Sequence, residues 1–581
     1  MKETNVTKQA ILKHLPLTAL LFILFFAITA GTAVSAKETA AAYSFDVSSK
    51  ILYTGWKSYY AEIIGADENA TITFKSKNKK IATVSEDGEI FPVSPGKTTI
   101  YATIKVPKQK KKTCSMKVTV KEPYSKISAS TTTMTLDGSY VFDLERYGHD
   151  KPVTWELSSG APVEIEAVSA TGCKVHPLEA GSFSLIARCG DETFSTDIKI
   201  YDGKGPLFII SPDSKPYKDN YTTYSTYNKY TKGYYLLRSY LEKLDATKGG
   251  VLVLQKGTYT VTNTLCIPSN TTIVLEDGAR IVKSDQTNSS LTATASLFQT
   301  VSYTNASKEG IFKGYNGEHD IKILGEGDAR IDLNGVKSHG IVACHCNRLT
   351  VSGIRFMNMN TYHFIELDAS KDVTISNNYF SGSTESSTAR KEAINLDTPD
   401  TVTNGFHQYW TSYDKTPDLN VYITDNIFSE LECAVGTHKY TYGSPHKNVN
   451  FLRNTVIDCS TYAVRCMNWD KPVITDNVFI NTVFPEFSHI FIILNGATNP
   501  LITNNLFENT ITPVSFYHWR NTGYGKEYDP IYNTLDASYA KALTKNYIKD
   551  VENAYYEYYT VLDNFDDETL ETYPINGYLN L

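Results

Sequence analysis

Residues 372–380 read DVTISNNYF, and this pattern of alternating apolar residues followed by asparagine returns four more times along the chain. The other segments are NVYITDNIF (420–428), NVNFLRNTV (448–456), KPVITDNVF (471–479) and NPLITNNLF (499–507). Apolar residues at every second position predict strands, and repeats spaced 20–50 residues apart indicate a solenoid. One asparagine occupies the same place in each segment, so stacked amides could hydrogen-bond along the coil: Asn378, Asn426, Asn454, Asn477 and Asn505. These segments predict a right-handed parallel β-helix.

The segments before the repeats predict further domains. An amphipathic helix over 232–246 ends in glycines and is expected to cap the open end of a β-helix that spans 231–581. Short strands at even spacing over 43–121, and again over 123–201, predict two β-sandwiches. A polar stretch over 202–230 predicts a linker. The predicted fold class is therefore all-β, with two β-sandwiches followed by a right-handed parallel β-helix that has an N-terminal capping helix.

Residues 1–36 have the features of a secretory signal peptide. Lysines precede the apolar run LPLTALLFILFFAITA, and small residues lead to Ala36, after which we expect cleavage. A retained N-terminal anchor is the alternative. No later run is apolar enough to span a membrane, so we expect a secreted protein or one held at the cell surface.

The composition excludes some classes of function. The net charge of −7 argues against nucleic acid as a partner. The nine cysteines show no metal-site spacing, although Cys173 and Cys189 could pair within one small domain. We expect a monomer without cofactor or metal. The basic run KVPKQKKK (105–112) is either a solvated hairpin tip or a site for an anionic wall polymer.

A second strand precedes the asparagine in the repeats. These strands align by their apolar residues: GIVACH (340–345), FIELDA (364–369), AINLDT (393–398), AVGTHK (434–439), AVRCMN (463–468) and FIILNG (491–496). Their second and fourth residues are expected inside the coil, so the third and fifth point outward. The outward set forms a column of acids followed by histidine and arginine: Glu366, Asp368, Asn395, Asp397, His438, Arg465 and Asn495.

Carboxylates stacked about 4.8 Å apart repel each other, which a merely solvated face could avoid. Such crowding raises the pKa of one carboxyl group, as a general acid requires, so the column predicts a functional site. Glu392 precedes the outward set by one residue and could instead point inward at a turn.

The long insertion between Asp397 and Val421 is rich in rings and is expected to form a groove wall, with Phe406, His407, Tyr409, Trp410 and Tyr413. A second edge is expected from Tyr440, Tyr442 and His446. The candidate substrate-binding residues are Glu392, Asn395, His363, Tyr413, Asp414, Lys439 and Asn495.

Two resemblances to known families extend this interpretation. The stretch IATVSEDGEIFPVSPGKTTIYATI (81–104) resembles the bacterial Ig-like domain of group 2, and KVHPLEAGSFSLIARC (174–189) resembles it more loosely. That resemblance implies spacer or wall-adhesion modules. Roughly residues 230–520 resemble the pectin-lyase-like β-helix superfamily, whose fold hosts hydrolases, lyases, epimerases and phage tailspikes.

The order of the polar motifs is similar to that of the polygalacturonase family of glycoside hydrolases. That family places Asn-x-Asp, Asp-Asp, Gly-His-Gly and Arg-x-Lys on four successive coils. The matching positions here hold Glu366-Leu-Asp368, Asp397-Thr398, Gly436-Thr-His438 and Arg465-Cys-Met467. The match implies that Asp368 and Asp397 are catalytic carboxylates, that His438 tunes protonation and that Arg465 binds substrate. Thr398, Met467 and the displaced histidine depart from the family and point to a divergent relative that acts on another glycan.

Three functions are compatible with this site, all with a polysaccharide partner; the Ig-like domains could also bind cell-wall polymer. A glycoside hydrolase could use Glu366 and Asp397, which strand geometry places about 8 Å apart, or Asp368 and Asp397 at about 5 Å. A lyase or epimerase would hold Ca²⁺ with the carboxylates and remove a proton α to a uronate through Arg465, His438 or Lys439. A non-catalytic adhesin would bind glycan without releasing product.

Overall fold

The computed structural model describes residues 43–128, 131–384, 391–401, 408–481, 490–520, 529–562, 570–575 and 577–578. The signal peptide predicted over residues 1–36 lies outside these ranges. Within them, no helix has the length and apolar character needed to cross a membrane.

Most of the chain forms a parallel β-helix of three sheets, each with 11 strands. In most of the coil, each turn adds one strand to each sheet. The first sheet contains Leu207–Ile210, Gly250–Leu254, Thr271–Leu275, His319–Gly325, Asn347–Ser352, Lys371–Ser376, Leu419–Thr424, His446–Leu452, Trp469–Asp470, Val473–Thr475 and Leu501–Thr503.

The second and third sheets complete the coil. The second contains Gly257–Val261, Ala279–Lys283, Arg330–Asp332, Arg355–Met359, Tyr379–Ser383, Ile427–Ser429, Thr455–Ile457, Val478–Ile480, Leu506–Thr510, Tyr547–Val551 and Gly577–Tyr578. The third contains Leu265–Cys266, Ser296–Gln299, His339–Cys344, Ile365–Asp368, Glu392–Asp397, Cys433–Gly436, Tyr462–Met467, Ile490–Asn495, Thr512–His518, Tyr555–Leu562 and Leu570–Pro574. The last strand of the third sheet pairs antiparallel to its neighbour, so the parallel coil ends there.

The predicted asparagine ladder lies at the turn between the first and second sheets. From Asn426 onward, each side-chain oxygen accepts from the backbone and the amide of the preceding asparagine, as Asn454 Oδ1 does from Asn426 N at 2.9 Å and Asn426 Nδ2 at 3.1 Å. The ladder runs through all five predicted positions and continues to Asn546. The turn places the residue before each predicted asparagine at positive φ, between 54° and 61°. Asn, Asp and Arg occupy this position, and the first two tolerate it well.

The core of the β-helix is a continuous apolar cluster inside the coil. Phenylalanines stack along it from one turn to the next, with ring centroids 4.8 Å apart for Phe356–Phe380 and 4.9 Å for Phe380–Phe428. Such stacking repeats because parallel strands in register place equivalent side chains directly above one another. The inward residues of the repeats therefore form the core of the coil, as their alternation predicts.

The capping helix, Lys232–Ala246, covers the N-terminal end of the coil. Its buried face joins the apolar core through Leu237, Leu241 and Leu244. Two other helical segments are Asp219–Thr223, which is a 3₁₀ turn, and Ala537–Leu543. The segment predicted as a linker contributes the strand Leu207–Ile210, which pairs in parallel with Gly250–Leu254, so the coil starts before the capping helix.

The N-terminal part forms β-sandwiches. The first sandwich has a four-stranded sheet of Ser49–Tyr53, Lys112–Lys121, Gly96–Lys105 and Thr71–Ser76, with smaller sheets from Tyr59–Tyr60, Glu89–Pro92 and Ala82–Val84, and from Ser44–Phe45 and Ile63–Ile64. The second pairs Tyr124–Ser128, Tyr140–Tyr147, Gly172–Pro177 and Val163–Ala167 in one sheet, and Thr133–Thr135, Glu192–Tyr201, Gly181–Cys189 and Val153–Leu157 in the other.

Two details of the second sandwich bear on stability. Cys173 and Cys189 are free thiols in separate apolar clusters, so the disulfide considered from the sequence is not formed. The strand Glu192–Tyr201 contacts the β-helix through Lys199 Nζ, 2.6 Å from Glu326 Oε2, and through Tyr201, whose hydroxyl donates to Glu276 Oε1 at 2.5 Å. The second sandwich is therefore bonded directly to the coil.

Candidate active site

Strand register in the third sheet brings the predicted column together. Glu366 pairs with Asn395, Asn395 with Gly436 and Gly436 with Arg465, while Asp368 pairs with Asp397. The alternate residues of these strands, such as Ile394 and Leu396, lie in the core of the coil. The column side chains therefore leave the sheet on its outer face, as predicted.

Three carboxylates of the column converge. One oxygen of each of Glu366, Asp368 and Asp397 lies within 4.8 Å of the others. All three side chains are buried, with residue exposures of 3 %, 0 % and 3 %. The separation of about 8 Å expected for Glu366 and Asp397 is wrong, because the longer Glu366 side chain reaches toward the next coil.

This crowding raises the pKa values of two of the acids by different amounts. Burial, followed by the charge of Asp397, holds the pKa of Glu366 well above its usual range. Burial also raises the pKa of Asp397, to about 6, although the charge of His438 and the Thr398 backbone N–H act in the opposite direction. Because the two acids interact, the retained proton belongs to the pair, and the pKa of Glu366 is raised more than that of Asp397.

A polar chain connects Glu366 to a second cluster. Asn395 Nδ2 donates to both Glu366 oxygens, at 3.1 and 3.2 Å, and Asn395 Oδ1 accepts from His438 Nδ1 at 3.1 Å. His438 Nδ1 also lies 3.4 Å from Glu392 Oε2. Glu392 thus lies on the outer face with the column, and the inward orientation considered from the sequence is wrong.

His363 lies beside both clusters. Its Nδ1 donates to the backbone oxygen of Glu392 at 2.6 Å, which leaves Nε2 facing Glu366 Oε2 at 3.6 Å. Burial lowers the pKa of His363 to about 4, so its ring is neutral at neutral pH. A neutral Nε2 can accept the proton of the Glu366 carboxyl group.

Arg465 and Asn495 form the far end of the column. Arg465 Nε donates to Asn495 Oδ1 at 3.3 Å, and the guanidinium lies 5.6 Å from the centre of the Trp519 ring. Its charge helps to lower the pKa of Glu392 and opposes protonation of His438. Lys439 is partly exposed next to His438. Its positive charge opposes the rise in the pKa of Asp397 that burial causes.

The insertion after Asp397 differs from the predicted groove wall. Trp410 is buried and packs edge-on against Phe312, with ring centroids 5.8 Å apart. Asp414 Oδ2 accepts from the Gly314 backbone N–H at 2.6 Å, so its observed contact is structural. Tyr409 and Tyr413 are exposed, at 60 % and 43 %. Phe406 and His407 lie outside the described residues.

The predicted second edge is also only partly correct. Tyr442 is exposed, but Tyr440 is buried and its hydroxyl donates to the Asp529 backbone oxygen at 2.9 Å. His446 is buried against Asp418, with Nδ1 3.1 Å from Asp418 Oδ2. Tyr440 and His446 are therefore buried in the packing between turns of the coil, where each has a polar partner.

His339 is a site residue that sequence reasoning missed. Its Nδ1 lies 4.0 Å from Glu366 Oε2, and its ring stacks on the half-exposed Tyr362 with centroids 4.5 Å apart. His339 begins the strand that pairs with Ile365–Asp368, one residue before the aligned six-residue block. A block extended by one residue would have included it.

Two residue sets have the spacing of metal ligands. Glu366, Asp368 and Asp397 offer three carboxylate oxygens, which is the donor type that Ca²⁺ prefers. His363, Glu392 and His438 are similarly close, but the Nδ1 atoms of both histidines donate hydrogen bonds to oxygen. Those nitrogens carry protons, so the second set is an ion-pair cluster.

Comparison with known proteins identifies part of the chain. Residues 60–116 match the bacterial Ig-like domain (group 2). The first sandwich is therefore an Ig-like domain, as its strand pattern predicts. No curated protein matches the chain by sequence.

Several solved structures are similar in fold. The surface adhesin PfbA of Streptococcus pneumoniae is 16 % identical over 60 % of this chain and 91 % of that chain, with a TM-score of 0.41. A family 28 exopolygalacturonase of Yersinia enterocolitica is 11 % identical over 76 % and 99 %, with a TM-score of 0.31. The tailspike of E. coli bacteriophage HK620, solved with a hexasaccharide, is 13 % identical over 55 % and 58 %, with a TM-score of 0.37. None of these similarities bears on the chemistry of the column.

Proposed function

We propose that this protein is an exported glycoside hydrolase whose active site is the carboxylate column on the third sheet. The observation that carries the proposal is the convergence of Glu366, Asp368 and Asp397 within 4.8 Å, with two of the three held at different proton affinities. Hydrolysis of a glycosidic bond needs one protonated and one ionised carboxyl group. A solvated face of a β-helix has no need for buried acids.

The roles follow from the protonation states. Glu366, whose pKa is raised the most, is the general acid, which protonates the leaving oxygen of the glycosidic bond. Asp397 is the ionised partner. It acts as the base that activates water or as the nucleophile that attacks the sugar. Asp368 adds negative charge, which favours the positive charge that develops on the sugar ring in the transition state.

A lyase is the second candidate, because the same three carboxylates would suit Ca²⁺. In that reaction the bound cation would polarise the uronate carboxylate. Lys439, whose charge acts on Asp397, and Arg465 are then the candidates to remove the proton, because the raised pKa of His438 favours its protonated form.

The test is incubation of the full-length protein with plant, host and cell-wall polysaccharides, with and without EDTA. We expect new reducing ends, no rise in absorbance near 235 nm, and no effect of the chelator. Unsaturated products that disappear with EDTA would favour the lyase. Glycan binding on an array without any product would favour the adhesin.

A further inference from the structure

Glu392 is fully buried beside the column but lies outside the three-carboxylate set. With no exposed surface, its carboxylate has no access to a glycan, so the substrate-binding role predicted for it has no structural support. Its side chain reaches the outer face because position 436 is glycine. A Cβ there would lie 3.3 Å from Glu392 Cγ and 2.8 Å from Arg465 Cβ.

We propose that Glu392 is a positioning residue that holds the His438 ring as an imidazolium and, through that ring, fixes the Asn395 amide that bonds Glu366. The part of the inference that concerns Glu366 rests on the proposed hydrolase function. The part that concerns Glu392 and His438 rests on their contacts and burial, which the directions of their pKa shifts support.

The contacts single out His438 as the charged histidine. Its Nδ1 lies 3.4 Å from Glu392 Oε2, and its side chain is 32 % exposed, so its charge is partly solvated. His363 Nδ1 lies farther from the same oxygen, at 3.8 Å, and donates at 2.6 Å to the Glu392 backbone oxygen, whereas the longer bond of His438 Nδ1 to Asn395 Oδ1, at 3.1 Å, lets it be shared with Glu392. His363 is also more deeply buried, which disfavours a charge on its ring.

The groups that face His438 act in opposite directions. Burial and the Arg465 charge lower the pKa of His438, but the carboxylates of Glu392 and Asp397 outweigh them and the pKa is raised. In return, the charge and hydrogen bond of His438, with the charge of Arg465, overcome the effect of burial and lower the pKa of Glu392 to about 2; His363 adds to this only at acidic pH, where its ring is protonated. The neutral ring of His363 stacks on that of His438, with centroids 5.6 Å apart.

The imidazolium also fixes the amide of Asn395. Because His438 Nδ1 donates to Asn395 Oδ1, the amide nitrogen must face Glu366, where it bonds both oxygens. One buried carboxylate thus sets the charge near Asp397 and the orientation of the group that holds Glu366.

The direct test is NMR titration of the full-length protein with labelled histidine rings, in the wild type and in Glu392→Gln. His438 is assigned from the signal absent in His438→Gln. We expect His438 to titrate above the ordinary value of about 6.5 in the wild type and at least about one pH unit lower in Glu392→Gln. Glu508→Gln is the matched control, because it removes an ion-paired carboxylate from the second sheet, 2.8 Å from Lys549.

The second readout is kcat in the same proteins. Without the imidazolium the Asn395 amide is no longer fixed toward Glu366, so kcat should fall in Glu392→Gln, with KM changed less than twofold. Glu392→Asp keeps the charge and should restore part of kcat.

A wild-type His438 that titrates at or below about 6.5, or an unchanged value in Glu392→Gln, would overturn the inference. If Glu392→Gln does not fold, the wild-type titration alone decides. If the pKa of His438 is raised but the protein turns over no glycan, the hydrolase is refuted and the pairing of Glu392 with His438 is still supported.

Discussion

At the level of single residues, the unusual property of this protein is a set of acids that cannot all be ionised together. Glu366, Asp368 and Asp397 are buried, with one oxygen of each within 4.8 Å of the others. Catalytic sites accept such an arrangement at a cost in folding stability. The cost should be measurable, because it depends on pH.

The first prediction concerns this dependence. The pKa of Asp397 is raised from 3.8 to about 6, so the folded state binds a proton that the unfolded state has already lost between these values. The contribution of Asp397 to the free energy of unfolding should therefore fall as pH rises from about 4 to above 6, and Glu366 should act in the same direction, whereas His363 and Glu392, whose pKa values are lowered, act in the opposite direction. Chemical denaturation at pH 5 and 7.5 measures the effect.

Asp397→Asn provides the comparison for that experiment. It should lose part of the pH dependence, and it should be at least as stable as the wild type at pH 7.5 because a buried charge is removed. Equal dependence in both proteins would show that Asp397 does not titrate in this range.

Much of the column could be predicted from alternation, because inward apolar residues fix the direction of their neighbours. The orientation of Glu392 could not, since it depends on the space left by Gly436 on the next coil. His339 was missed for a different reason: it lies on the neighbouring strand, one residue before the aligned block. The predicted groove wall failed for Trp410, because this ring packs against Phe312, which lies nearly 100 residues earlier in the chain.

At the level of elements, the asparagine ladder links successive turns of the coil. Asn454 is a central member: it accepts from Asn426 and donates to the Ile423 backbone oxygen at 2.8 Å and to Asn477 Oδ1 at 3.2 Å. The sequence repeats predicted five members; the sixth, Asn546, was missed because it follows the helix Ala537–Leu543 and only the end of the repeat, LTKNYI (543–548), surrounds it. Its place is set by the three-dimensional coil.

The second prediction concerns Asn454→Ala. The change leaves the buried Asn426 N–H and Ile423 oxygen without their partner, so the unfolding free energy should drop by at least about 2 kcal/mol. Asn360→Ala is the control, because its bond to the Gly335 oxygen is exposed and water can replace it. Urea denaturation should show a loss of under about 0.5 kcal/mol for the control. Equal losses would mean that the ladder adds nothing beyond an ordinary hydrogen bond.

At the level of the whole molecule, the chain combines an Ig-like domain, a second sandwich and a β-helix that carries the column. Within the described parts of the sandwiches, residues 43–128 and 131–201, there is no cluster with metal-ligand spacing and no column of acids. The second sandwich nevertheless bonds to the coil through Lys199 and Tyr201. The sandwiches should therefore affect stability more than chemistry.

The third prediction follows from this division. A shortened protein that begins at Gly203 keeps the strand Leu207–Ile210 and should retain kcat on soluble substrate within about twofold. Its thermal midpoint should be lower, because Glu276 and Glu326 lose their partners from the second sandwich. A folded shortened protein without activity would contradict the assignment of catalysis to the β-helix.

The measurement that tests the central claim most directly is kcat of Asp397→Asn on the glycan that the wild type cleaves. General acid–base groups contribute about 10²–10⁴-fold, so we expect a fall of at least about a hundredfold with the fold intact by circular dichroism. Asp458→Asn is the matched control: this aspartate is exposed, already has positive φ, and accepts only from Asn481 among the bonds described, so its kcat should not change. Near-normal kcat in Asp397→Asn would show that the column is structural and would favour a glycan-binding adhesin.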